Sequence, residues 1–132
     1  MSRLAPNHLL GVAILVALLA TGLPVMAQSW QVPKPTPGLM PNPGVGKLLY
    51  ENKCASCHGL DLNGSKLGPP FLHRVYVPSH HGDASFQLAA RNGVRAHHWQ
   101  FGDMKPVPDS SPDDVAHITA YIRGRQRLVG IE

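Results

Sequence analysis

Cys54-Ala55-Ser56-Cys57-His58 gathers two thiols and an imidazole into one short stretch. Two thiols three positions apart can add to two vinyl groups on one edge of a porphyrin, and the next residue brings an imidazole beneath the iron. C-x-x-C-H is the pattern of covalent haem c attachment. Neutral imidazole is the standard proximal ligand, so Cys54 and Cys57 are the expected attachment points and His58 the expected iron ligand. Two other chemistries use the same residue types. A redox dithiol needs a strand and a parallel sheet around it, and Val75-Tyr76-Val77 is too short a run to supply one. A zinc site would combine Cys54 and Cys57 with histidines from elsewhere.

A six-coordinate iron needs a second axial ligand. Beyond Cys57 the chain has a single methionine, Met104, in the loop Phe101-Gly102-Asp103-Met104-Lys105-Pro106. Its soft thioether would favour ferrous iron and raise the reduction potential, and the flanking Gly and Pro suit a loop that approaches a haem face. Filling a gap in the core is the plainer role for a methionine. His73, His80, His81, His97, His98 and His117 compete as ligands, and the pairs His80-His81 and His97-His98 raise bis-histidine or copper-site readings. His117 sits off the apolar stripe of its helix, where solvation is expected. Donors to haem propionates would come from His73, Arg74, Tyr76, Arg95 or Trp99.

These residues need elements to position them. A helix should follow the Pro43-Gly44 break and run to about Lys53, with Leu48, Leu49 and Tyr50 on its apolar side. Gly46 within it is a weak helix former, which implies close passage of another backbone. A second helix starts from Asp83 as N-cap, carries Phe86, Ala89, Ala90 and Val94, and ends at Gly93. The third has Ser111 as N-cap, Pro112 at its first position and Asp113 and Asp114 in its first turn. Its inward face reads Val115, Ile118, Tyr121, Ile122 and Leu128, and Arg123, Arg125 and Arg127 suit the negative end of its dipole. The expected class is all-α, three main helices wrapped around a ligand.

Residues 1–27 read as a signal peptide. Arg3 precedes an apolar run of 12 residues from Leu9 to Ala20, followed by Val25-Met26-Ala27. That run is short against the ~20 residues of a spanning helix, so an exported, periplasmic protein is expected, membrane-anchored only with the leader uncleaved. Residues 28–43 form a Pro-rich arm, a spacer or a wrap, and residues 44–132 the domain. A domain of ~90 residues sits where a core of side chains alone becomes marginal, and a buried macrocycle would remedy that. The two cysteines are too close together to staple anything as a disulfide. A net charge of +4 without a basic, aromatic-interleaved run excludes nucleic acid as the expected partner.

From about Gly44 to Val129 the chain resembles the class I c-type cytochromes, small carriers of one haem. Gly46 and Tyr50 sit as the family's first-helix glycine and aromatic do, and Tyr121 as the last-helix aromatic that packs over that glycine. Gly68-Pro69 matches the family's Gly-Pro turn, which implies a Pro69 carbonyl accepting from the His58 Nδ1-H. Met104 stands where the distal methionine stands, although the proline that often follows it directly comes one later, at Pro106. The resemblance implies one covalent haem c, iron held by His58 and Met104, and outer-sphere electron transfer rather than catalysis. Redox partner proteins, acidic ones if Lys47, Lys53, Lys66 and Lys105 ring the haem edge, would supply and take the electron. The alternatives are a ligand-binding haem sensor, a peroxidase-like enzyme, or the electron-transfer subunit of a larger oxidoreductase complex.

Overall fold

A computed structural model describes residues 31–132 of the 132-residue chain. The leader expected over residues 1–27 lies outside the described residues. Among the described residues four helices form: α1 (Pro43–Lys53), α2 (Ala55–His58), α3 (Asp83–Asn92) and α4 (Pro112–Leu128), with a 3₁₀ turn over Arg74–Tyr76. No strand occurs among the described residues, only one isolated antiparallel bridge between Val94 and Met104. The all-α expectation holds. Helix α2 is the addition, a single turn too short to carry a periodic signal.

Local chemistry accounts for the helix ends. Ser111 caps α4 in a full capping box with Asp114, and Pro112 begins the helix. Helix α1 is capped by Asn42, whose side chain accepts from the Gly44 and Val45 amides, with Pro43 at N1. Helix α3 starts one residue earlier than expected, its N-cap being Gly82, so Asp83 serves in the first turn and not as the cap.

The Pro-rich arm is a wrap. The Thr36 amide and hydroxyl both donate to the Asp113 carboxylate, at 2.6 and 2.8 Å, and these bonds hold that carboxyl below its ordinary pKa. The Asn42 amide donates to His117 Nδ1 at 2.8 Å. His117 is therefore not a solvated bystander but a fastener between arm and α4.

Helix α1 packs chiefly on α4. Where they cross, a Cβ at Gly46 would lie 1.9 Å from the His117 carbonyl oxygen, which is why the position is glycine. It is this backbone that lies over Gly46, whereas Tyr121 packs on Tyr50, ring centroids 5.6 Å apart. Around the crossing Tyr50, Leu62, Phe71, Ile118 and Ile122 form the core, each aliphatic contributing ~1.5–3 kcal/mol by burial. Leu48 and Leu128 do not join it; they are 68% and 78% exposed.

Arg123 departs most from expectation. It is buried, and its side chain joins three segments. It pairs with Asp83 at 2.9 Å, donates to the Tyr76 and His81 carbonyls and to Gln126 Oε1, and lies over the Phe86 ring. Gln126 in turn donates to the Phe71 carbonyl at 2.8 Å. Because Asp83 is solvated, removing the guanidinium strands carbonyls and not a buried charge. Arg123→Met should lower unfolding free energy by ~2–4 kcal/mol, the cost of one or two orphaned acceptors. Urea titration checks this; an unchanged midpoint would show that water replaces the guanidinium at no cost.

Candidate functional site

The C-x-x-C-H residues lie on one tight turn. Cys54 is the N-cap of α2 and His58 its last residue. The Tyr50 hydroxyl donates to the Gly59 carbonyl at 2.6 Å, Ser65 Oγ donates to the Cys57 carbonyl at 2.6 Å, and the Gly64 amide donates to the His58 carbonyl at 2.8 Å. These bonds close the chain behind α2 and fix its three functional side chains relative to α1.

His58 is 7% exposed. Its Nδ1-H donates to the Pro69 carbonyl at 2.9 Å, so Nε2 is the nitrogen left for a ligand. The Phe71 ring stacks on the imidazole at 4.2 Å. Burial lowers the His58 pKa, the Pro69 bond working in the opposite sense, and the neutral ring is the form that ligates a metal. Burial also pushes the Cys54 thiol up to about 11, with Cys57 adding to the shift and Lys53 opposing it. A redox dithiol or thiolate metal site depends on a depressed thiol pKa, and this environment does the reverse. Among the described residues no group of three metal-ligating side chains includes Cys54 or Cys57, which disposes of the zinc reading there.

Beside α2 opens a cavity of about 1220 Å³, above the ~300–1,000 Å³ of pockets for drug-sized ligands. Cys54, Cys57 and His58 line it together with Phe71, Phe86, Ile118, Ile122 and Met104. The expected Met104 thus shares one chamber with the expected His58. Antiparallel bonds hold its backbone: the Val94 amide donates to the Met104 carbonyl at 3.0 Å and the Met104 amide to the Val94 carbonyl at 2.8 Å. The bridge forms because Gly93 ends α3 at φ +74, where a Cβ would meet the Met104 carbonyl oxygen at 2.3 Å. Val94, expected on the helix, is instead a rung of that bridge. Gly93→Ala should therefore displace Met104 as well as strain the chain, at ~1–2 kcal/mol for the backbone alone. A melting temperature lowered by more than that backbone strain accounts for checks it; a loss no larger than the strain would detach the glycine from Met104.

Of the expected propionate donors, Tyr76, Arg95 and Trp99 line the cavity. His73 instead packs its ring edge on Trp99 and accepts from the Val75 amide, and Arg74 lies at the separate C-terminal hollow. Lys53 points back into the fold, donating to the Asp109 carbonyl and lying 3.7 Å from Asp114. Sequence reading does not single out Phe71, although an aromatic two residues past Pro69 was the available signal. His80, His81 and His98 come together at one wall, His81 and His98 lining the cavity. Burial lowers the His81 pKa against the opposing Val75 bond, with His80, His97 and Arg123 adding to the shift, and partial desolvation, then His97, His81 and His80, lower that of the exposed His98.

A family model described as Cytochrome c matches residues 45–126. The chain belongs to the cytochrome c family. Membership carries haem-based electron transfer with a covalently bound haem, and Cys54 and Cys57 fit its attachment. The geometry fits the group too. A predominantly apolar chamber large enough for a macrocycle adjoins two free thiols and an imidazole whose second nitrogen is already committed. Members of the cytochrome c family are often exported. No solved structure matches this cytochrome.

Proposed function

We propose that this cytochrome is an outer-sphere one-electron carrier in which His58 Nε2 and Met104 Sδ would be the two protein ligands of the haem iron. The observation that carries the reading is that His58 and Met104 line the same cavity, each anchored by backbone, one through Pro69 and the other through Val94. Haem, when bound, supplies the ferric/ferrous couple. The chain does the rest. The Pro69 carbonyl keeps the His58 proton on Nδ1 and strengthens Nε2 as a donor. The 94–104 bridge anchors the Met104 backbone at the cavity wall, from where its thioether would ligate a bound iron and so keep substrate from it. Phe71, Phe86, Ile118 and Ile122 keep water from the chamber, so little reorganises when charge changes.

Carbon monoxide added to the reduced protein at neutral pH tests this against a sensor or peroxidase-like role. We expect no binding over minutes, and prompt, stoichiometric binding would overturn the carrier reading. Export to the periplasm through cleavage after Ala27 goes with it, checked by the N-terminal sequence of the mature protein. An acidic redox partner would meet Lys47, Lys66 and Lys105, which are solvent-exposed, whereas Lys53 is taken up by the fold. Electron transfer with that partner should slow as ionic strength rises; a flat dependence would remove the steering role from these lysines.

A further inference from the structure

The cytochrome has a second concentration of ligating atoms that the haem chemistry leaves unused. His80 and His81 follow the 3₁₀ turn, and His98 comes from the loop that leads to Met104. One ring nitrogen from each lies within 4.8 Å of the others, and the Nε2 atoms of His80 and His98 are 3.2 Å apart. We propose that His80, His81 and His98 form a binding site for a borderline divalent transition metal, of the zinc(II) or copper(II) class, at the wall of the haem cavity.

Four features lead there. Metal–imidazole bonds of ~2.0–2.1 Å at a tetrahedral centre put ligand nitrogens ~3.3–3.4 Å apart. The His80–His98 pair, at 3.2 Å, is already close to that separation, and the third ring, whose ligand atom lies within 4.8 Å of the others, has to close by up to about 1.4 Å to match it. His81 is also prepared as a ligand: its Nδ1-H donates to the Val75 carbonyl at 2.7 Å, fixing the tautomer that leaves Nε2 bare. Solvent access is built in, because His80 and His98 are exposed and His81 half-buried, so an ion can enter and complete its shell with water. Finally, the donor set is all nitrogen. No carboxylate belongs to the group, which excludes calcium and magnesium and selects ions that prefer imidazole.

The charges around the site work partly against a cation. The Arg123 guanidinium donates to the His81 carbonyl, and His97 lies beside both His81 and His98, its own Nδ1 turned to the Arg95 carbonyl at 2.8 Å. Beside the Arg123 guanidinium an ion would have to be held by its bonds to nitrogen and not by charge, which again selects a metal that prefers imidazole. The competing use of the same rings is hydrogen bonding to haem propionates, since His81 and His98 also face the cavity.

The two uses separate experimentally on the haem-loaded protein. Zinc(II) titration by calorimetry should show one equivalent bound. His98→Gln and His80→Gln should each weaken binding by at least about tenfold, while His117→Gln, remote from the cluster, should not. Copper(II) in place of zinc should give an electron paramagnetic resonance signal with hyperfine structure from three nitrogens, reduced in either cluster variant. No stoichiometric zinc binding would overturn the proposal, as would binding that both cluster variants retain. Cluster variants that shift the haem spectrum while the wild type takes up no zinc would assign the rings to the propionates instead.

Discussion

Met104→Ala is expected to lower the reduction potential by on the order of a few hundred millivolts, within the ~0.8 V span that axial ligation commands, and to let carbon monoxide reach the reduced iron. The direction follows from chemistry. A thioether is a soft, weak donor that favours the ferrous state, and any replacement, whether water or an imidazole, donates more strongly to ferric iron. The position is also one where truncation alters ligation and little else. Met104 is half-buried, and its backbone bonds to Val94 do not involve the side chain. Should a neighbour such as His97 move in, the ferric spectrum would stay low-spin and the potential would still fall, so the potential is the deciding measurement. A wild-type potential in the variant would mean that Met104 does not ligate iron.

The second large effect is on folding. Gly46→Ala would place a Cβ 1.9 Å from the His117 carbonyl oxygen and 2.5 Å from its carbon. Alanine favours helix over glycine by ~1 kcal/mol, but here the atoms met are backbone of α4 and cannot rotate away. Helices α1 and α4 must separate, which also disturbs Tyr50 and its bond to Gly59. We expect a loss above ~4 kcal/mol, enough to leave the domain unfolded or unable to retain its haem in fixed geometry. Gly124→Ala is the matched control. Also in a helix, it would put its Cβ no closer than 3.9 Å to any neighbour, the Arg127 side chain, and should stabilise by up to ~1 kcal/mol. Urea midpoints moving in opposite directions would confirm that contact, not composition, decides; similar shifts would refute it.

Features written in neighbouring residues could be read without coordinates. Helix α4 announces itself through Ser111, Pro112, Asp113 and Asp114, all within one turn. The attachment motif is five consecutive residues, and Met104 becomes the candidate second ligand by being the one methionine beyond it, a residue that the fold brings to the cavity wall. What could not be read depends on contacts between distant segments. Nothing local marks Arg123 for burial, since its partners at Tyr76, His81 and Asp83 lie 40 or more residues away. Leu48 and Leu128 look like core residues by type, yet among the described residues both remain largely exposed. The same holds for the histidines, whose two pairs are 17 positions apart in the chain and meet only through the fold around the cavity. Asn42 is a different case, a local cap that the Pro43-Gly44 break conceals by drawing attention one residue downstream.

The fastening of Thr36 to Asp113 and of Asn42 to His117 moves the true edge of the folding unit upstream of residue 44. A shortened version starting at Gly44 would forfeit the α1 cap and both fasteners together. Because Asp114 also lies 3.7 Å from Lys53, one end of α4 knots the arm, the first helix and its own cap together, so that loosening any one of the three would be felt by the other two.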